Sequence, residues 1–324
     1  MTTEQQAEKT RKLYWIATEQ CNLGCRYCYY NTALKDRMKT KPIPIEEKLK
    51  VIEEAKEFFD EIIFTGGEAL LDPDIYVLVQ AAKEQGLKVD VLTNGVLLTS
   101  ENCQKLVDLK VDCVSISLDS LDVGINDAQR GKTAMVRQGI ENLLAIKSPE
   151  MVMEIMMTVT RKNIYSIKDM VDFCFENNLN LWLDPVEINP DAKKVKRFDL
   201  TLMDEEEKRI LAEAFEYWVE KSGESPLSLY SQACLQLIAG EKATGISCDM
   251  GTDHFVLNPD GGLTPCFSRE DINYGNVFND GLIAVMGNML IDEKQPELQN
   301  AACVALGCVC MTMVTEHDPY SNNY

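Results

Sequence analysis

Six short runs rich in Ile, Val, Leu or aromatic residues punctuate the first 188 positions: KLYWIA (12–17), EIIFTG (61–66), LKVDVLT (87–93), CVSISLD (113–119), VMEIMMTV (152–159) and NLWLDPVEI (180–188). Each gives way to turn or loop residues, as a strand does. Amphipathic stretches lie between them. In EEKLKVIEEAKEFF, Leu49, Ile52, Ala55 and Phe59 fall on one face, and Pro42 and Pro44 precede it, where proline costs little. Strand-then-helix units repeated in this way predict an α/β fold with a mainly parallel sheet covered by helices. An open (β/α) barrel and a doubly wound sheet both satisfy the alternation, and both bind ligands at the carboxyl ends of their strands.

The rhythm breaks after residue 188. INPDAKKVKRFDL reads as a polar linker, followed by an amphipathic helix from Met203 to about Lys221, a break at GESPLS and a short helix near 229–239. From Gly245 the chain is loop-rich and carries Cys248, Cys266, Cys303, Cys308 and Cys310. A small unit of this kind has too little apolar core of its own, and metal staples would make up the difference. The expected division is 1–190, 191–244 and 245–324, with no internal repeat.

Charge narrows the function. Among 324 residues, 52 acids against 32 bases give a formal net charge of −20. Such a surface repels phosphate backbones and anionic lipids, so neither nucleic acid nor membrane is an expected partner. The opening MTTEQQAEKTRK is polar and lacks the apolar core of an export signal, which leads to a cytoplasmic expectation. In that reducing setting, 12 cysteines point to metal binding or redox chemistry rather than disulfides. With only His254 and His317 available, histidine-based metal chemistry is starved of ligands.

The first strand runs straight into EQCNLGCRYCYY, where Cys21, Cys25 and Cys28 form a Cys-x3-Cys-x2-Cys set. A structural zinc site wants four ligands. Three thiolates on an iron–sulfur cubane leave one iron open to a substrate or cofactor, which is a catalytic arrangement. With Tyr27 before the third cysteine, the motif resembles the signature of radical S-adenosylmethionine (radical SAM) enzymes. That resemblance implies a partial (β/α)6 barrel, a 4Fe–4S cluster on Cys21, Cys25 and Cys28, and SAM chelating the open iron.

Three further stretches agree with it in order and position. Thr65-Gly66-Gly67-Glu68 ends the second strand, and the glycines permit a close backbone approach to a ligand. In the family this stretch binds the SAM amine; Ala69 stands where a proline is usual. Thr93-Asn94-Gly95 resembles the turn bordering the SAM pocket, with Asn94 shaping the turn. Ser115, Ser117 and Asp119 share a face by alternation. In related peptide- and sulfatase-modifying enzymes a serine and an arginine hold the SAM carboxylate, and Ser117 and Arg130 match those positions. The implied cofactor-binding set is therefore Tyr27, Gly66, Gly67, Glu68, Asn94, Ser117, Asp119 and Arg130.

Cys248 and Cys266 bracket a segment whose Asn258-Pro259-Asp260-Gly261 reads as a tight hairpin turn. With YGNVFNDGL (274–282) and the tail cysteines, it resembles the auxiliary-cluster domain called SPASM in its long form and twitch in its short form. Five cysteines suit one auxiliary 4Fe–4S cluster. Cys248 and Cys266 are its firm ligands, to be completed from Cys303, Cys308 and Cys310, with Cys234 as a possible substitute. A structural zinc is the bland reading. Cys103, Cys113 and Cys174 read as buried apolar residues.

The resemblance implies a radical SAM oxidoreductase that generates a 5′-deoxyadenosyl radical and oxidises a C–H centre. A maturase for a ribosomally made peptide is the first expectation. Its expected partners are a flavodoxin- or ferredoxin-type reductant and, because Cys21 lies so near the start of the sequence, a separate leader-peptide recognition protein. The alternatives are a small-molecule, aminocyclitol-like dehydrogenase and a non-enzymatic iron–sulfur electron carrier. Sulfatase-type maturation fits less well, since Phe267 stands where an acid commonly follows the auxiliary cysteine. Asp184 and Glu187, ending the sixth strand, are the candidate catalytic acids facing the substrate.

Overall fold

The computed structural model describes residues 10–28, 42–186, 199–223, 226–239, 241, 250–267 and 272–289. Six strands appear where the apolar runs place them: β1 (Lys12–Thr18), β2 (Glu61–Gly66), β3 (Lys88–Thr93), β4 (Cys113–Ser117), β5 (Val152–Val159) and β6 (Asn180–Pro185). The helices that follow them in turn are α1 (Ile45–Ala55), α2 (Ile75–Glu84), α3 (Ser100–Asp108), α4 (Val123–Gln129), α5 (Thr133–Leu144) and α6 (Ile167–Glu176). Alternation along each strand sorts its side chains. Leu13, Trp15, Ile62, Phe64, Val89, Val91, Val114, Ile116, Met153 and Ile155 are buried in the large core shared with the helices. Tyr14, Ile16 and Ile63 belong to a second, smaller cluster on the opposite face. The six strands pair in parallel in sequence order, giving the open partial barrel that the resemblance implies.

Two long helices close the β6 edge. Asp204 and Glu207 form a reciprocal capping box that starts α7 (Glu205–Ser222), and Gly223, at φ 79°, ends it in the left-handed region. The indole of Trp218 on α7 donates to Leu181 O at 3.1 Å, and its ring packs with Trp182 and with Tyr230 of α8 (Pro226–Ile238).

The described part of the C-terminal segment joins the same sheet instead of standing apart from it. Strand β7 (His254–Leu257) pairs in parallel with β1, from Lys12↔His254 to Trp15↔Leu257. The expected turn at 258–261 then reverses the chain, with Gly261 at φ 92°, into the short antiparallel strand β8 (Leu263–Thr264). The eight-stranded order is β6-β5-β4-β3-β2-β1-β7-β8. All four residues of β7 are buried, so the strand is covered on both faces. The pair α9 (Val277–Asp280) and α10 (Leu282–Met289) lies against α1, where Ile283 N–H donates to Glu54 at 3.1 Å. Among the described residues, no helix is long and apolar enough to cross a membrane.

Phe255 makes the continuity testable. It is fully buried, with its ring 5.9 Å from Phe59 and 6.3 Å from Tyr274. Phe255→Ala should lower stability by about 3–5 kcal/mol and shift one cooperative urea transition. A separate early transition, with the main one unmoved, would show that β7 and β8 fold independently of the barrel.

Candidate functional site

The carboxyl ends of β1 to β4 and the segments leaving them carry the first three cysteines and the expected cofactor-binding residues. Their placement begins with two glycines. A Cβ on Gly66 would lie 2.4 Å from Thr18 O, and one on Gly67 would lie 2.4 Å from Gln20 O. Neither distance is tolerable, so only glycine lets the end of β2 press against the segment leaving β1. The contact is then hydrogen-bonded: Gly67 N–H donates to Thr18 O and Glu68 N–H to Gln20 O, both at 2.8 Å. The close approach that the sequence suggested toward a ligand is thus made first to the chain's own backbone, and it fixes where the cysteine loop starts.

Cys21 is exposed on this loop, while Cys25 and Cys28 are half-buried and joined by a turn, Cys28 N–H donating to Cys25 O at 3.2 Å. Burial pushes the Cys21 thiol up, and pushes Cys25 to about 11 against the pull of the Arg130 guanidinium. Cys28 also acts on Cys21, and both Cys28 and Cys21 act on Cys25, so the three thiols share one electrostatic neighbourhood. Among the described residues, no three His, Cys, Asp or Glu side chains converge tightly enough for a single metal ion. A cubane presents its irons at separate corners and takes more widely spaced thiolates. Three thiols on one loop are the donor set that a cubane takes, and loading it would draw the protons off these raised thiols.

Glu68 is 1% exposed and ties the end of β2 to the end of β3. Its Oε1 accepts from Thr93 Oγ1 at 2.7 Å and from Leu70 N–H at 3.2 Å, and its Oε2 accepts from Asn94 N–H at 2.7 Å. Burial raises its pKa, and these three donors oppose the rise. Three of a carboxylate's roughly four acceptor positions are thereby filled. Asn94 passes the connection on to the cysteine loop: its Nδ2 donates to Asn22 Oδ1 at 2.7 Å and lies 3.7 Å from Cys21 Sγ.

The tightest knot surrounds Asp119, whose side chain is wholly enclosed. Its Oδ2 accepts from the Tyr27 hydroxyl at 2.5 Å, and its Oδ1 accepts from Thr158 N–H at 3.0 Å. Arg130 Nε lies 2.8 Å from Oδ1 as a Coulomb pair whose N–H is not aligned for a hydrogen bond. Arg130 also donates through Nη2 to Thr158 Oγ1 at 3.0 Å and stacks 5.4 Å from the Tyr27 ring centre. Burial alone would lower the guanidinium's pKa, but Asp119 reverses this and holds it charged. Leu118 still continues the ladder to Met156 O, after which the Asp119 carboxylate replaces a backbone acceptor for Thr158. Strand β4 stops at Ser117 and not at 119 for this reason. Fully enclosed, Asp119 holds Tyr27 and Arg130 in place.

Ser117 ends β4 half-buried on the concave side, beside Met156 in register. Asp184, near the end of β6, accepts from Tyr230 at 3.3 Å. Cys266, just past β8, packs with Tyr14, Ile16, Ile63 and Phe267 in the concave cluster. Cys234 is fully buried on α8, while Cys103, Cys113 and Cys174 are buried as expected. Glu187, Cys248, Cys303, Cys308 and Cys310 lie outside the described residues. Sequence reasoning passed over a polar group on the concave face: Ser115 Oγ lies 3.1 Å from Glu154 and 3.3 Å from Asp90, and burial pushes Asp90 well above the usual carboxylate range. A charge inside LKVDVLT and another inside VMEIMMTV were the available signals.

Removing one member of a buried ion pair strands the other. Asp119→Ala should therefore cost about 3–5 kcal/mol in urea unfolding. The Asp119→Ala/Arg130→Met double variant should lose at least about 1 kcal/mol less than the sum of the single losses. Strict additivity would show that the pair is not energetically coupled.

Residues 15–174 match the Radical SAM superfamily. An AdoMet-dependent heme synthase of Nitratidesulfovibrio vulgaris is 30% identical over 181 residues, covering 53% of this chain and 47% of that protein. The antilisterial bacteriocin subtilosin biosynthesis protein AlbA of Bacillus subtilis is 25% identical over 288 residues, covering 85% of this chain and 59% of AlbA. The chain thus spans about half the length of these relatives. Among solved structures, Streptococcus suis SuiB bound to S-adenosylmethionine superposes with a TM-score of 0.67 at 18% identity, covering 93% of this chain and 72% of SuiB. At that identity the likeness concerns the fold, and it is the open barrel described above. With the cysteine loop at the head of that barrel, the chain carries a radical SAM domain over residues 15–174.

Proposed function

We propose that this radical SAM enzyme oxidatively modifies a C–H centre in a ribosomally made peptide. The observation that carries this reading is the reach of the similarity to AlbA. It covers 85% of the chain and so extends past the barrel core, as does the match to the mycofactocin maturase MftC of Mycolicibacterium smegmatis at 83%; a probable GTP 3',8-cyclase of Sulfurisphaera tokodaii reaches 89%, and the peptide reading rests on AlbA and MftC together. The position of Cys266 supports an auxiliary 4Fe–4S cluster in that added part. The β7–β8 hairpin carries the thiol to the concave cluster beside Tyr14, on the side of the sheet where a substrate would enter.

In this reading Cys21, Cys25 and Cys28 hold the first cluster. Bound cluster and SAM together supply reductive cleavage and a hydrogen-atom abstractor. The chain's own residues position and shield. The backbone at Gly66-Gly67 and the remaining acceptor position of Glu68 face the SAM amine. Ser117 and the N–H groups of Arg130 not taken by Thr158 and Asp119 face the SAM carboxylate, and a planar guanidinium pinned on one side is well suited to that task. Asp184 with the Asp90, Ser115 and Glu154 group gives the concave face polar contacts for a peptide. A reductant of the flavodoxin or ferredoxin type and a leader-recognition protein are its proposed partners.

Anaerobic reconstitution should load about eight irons per chain, as two cubanes. Cys266→Ala should lower iron by about half, retain reductive cleavage of SAM and lose peptide oxidation. Zinc at this site, or a Cys266→Ala protein oxidising peptide at the normal rate, would reduce the C-terminal part to scaffolding and make the chemistry redox-neutral.

A further inference from the structure

Asn94, in the turn that ends β3, is 7% exposed and held on three sides. Its backbone N–H donates to Glu68 Oε2 at 2.7 Å, and its Oδ1 accepts from Val96 N–H at 3.0 Å. An amide nitrogen cannot accept from that N–H. The oxygen of the carboxamide therefore faces Val96, and the NH2 group faces the cysteine loop. One of its two hydrogens goes to Asn22 Oδ1 at 2.7 Å. The other remains for Cys21 Sγ, 3.7 Å from Nδ2, a separation that suits the large radius of sulfur. The turn itself is tightly packed. Gly95 has φ 79°, and a Cβ there would lie 2.9 Å from the Ile116 side chain and 3.0 Å from that of Val136.

Two other groups act on the same sulfur. The Leu23 backbone N–H, which comes with the loop, donates to it, and the buried Glu68 carboxylate disfavours negative charge there. Asn94 thus sets a fixed side-chain donor against a fixed acid.

We propose, on the reading above that Cys21, Cys25 and Cys28 hold a cluster, that Asn94 raises the reduction potential of that cluster by donating an N–H···S hydrogen bond to the Cys21 ligand. When the cluster takes one electron from its reductant, the negative charge on its sulfur ligands grows. An N–H dipole aimed at one of them then favours the reduced form. No bond breaks and no proton moves. The donor is in place before the electron arrives, so it need not reorganise. Asn94 acts through the sulfur and is a positioning residue.

The test is redox titration of the full, reconstituted chain without SAM, followed by electron paramagnetic resonance. The signal of this cluster is the one lost when Cys21, Cys25 and Cys28 are changed together to alanine. Asn94→Ser keeps an oxygen to accept from Val96 N–H but removes the N–H directed at sulfur. It should load the same iron and shift the one-electron equilibrium on the order of tenfold toward the oxidised form, a midpoint about 59 mV more negative. Lys132→Gln is the comparison. Lys132 Nζ donates to Asn22 O at 3.1 Å from an exposed position, so it tethers the same loop without touching a sulfur. Its loss should move the midpoint much less, because solvent screens an exposed charge. An unchanged midpoint in Asn94→Ser overturns the proposal. So does an equal shift in Lys132→Gln, which would assign the effect to loop placement. Should Asn94→Ser load no iron, the wild-type protein decides. With heavy nitrogen in its asparagine side-chain amides, the reduced cluster should show a hyperfine coupling to the label, and absence of that coupling overturns the proposal. Failure of the cluster reading looks different: wild-type protein would show no signal that the triple alanine variant loses, and this role of Asn94 would fall with it.

Discussion

The carboxyl edge of the barrel is organised by one enclosed carboxylate. Asp119 holds the hydroxyl of Tyr27 from the cysteine loop, the guanidinium of Arg130 from the turn after α4 and the backbone of Thr158 at the edge of β5. Away from water, an unpaired charge would be intolerable and a paired one is stiff. The knot therefore sets the loop, the arginine and the strand relative to one another before any cofactor arrives. It also explains how Arg130 can be both buried and available: two of its nitrogens are committed, and the rest of the planar fork is held in a fixed direction.

Glu68 plays the matching part on the other side of the cysteine loop. It gathers Thr93, Leu70 and Asn94, and Asn94 in turn reaches Asn22 and the edge of the Cys21 sulfur. The loop is thus held between two buried acids, Asp119 through Tyr27 and Glu68 through Asn94. Gly66 and Gly67 set its origin by backbone contact. This division of labour sets an exposed Cys21 beside half-buried Cys25 and Cys28.

Much of this was legible in the chain itself. The six apolar runs mark β1 to β6 to within a few residues, because a strand buried on its helix side needs a contiguous apolar stretch. The cysteine spacing and the Gly-Gly-Glu and Ser-x-Asp stretches mark the strand ends that carry the site. What escaped had a physical cause in each case. Strand β7 is only four residues, His254 to Leu257, and its partner β1 lies about 240 positions away, so no local pattern announces the pairing. Asp119 reads as a strand-face residue by alternation, whereas its carboxylate substitutes for a backbone acceptor, a role that only tertiary contact reveals.

The claim at the centre of this account is that Cys21, Cys25 and Cys28 hold a cluster with one iron open to SAM. Electron paramagnetic resonance of the reduced, reconstituted protein with and without SAM tests it most directly. The account predicts a signal whose shape changes when SAM is added, and loss of that SAM-responsive signal when the three cysteines are changed together to alanine. A wild-type signal indifferent to SAM, or a SAM-responsive signal surviving in the triple variant, would contradict it.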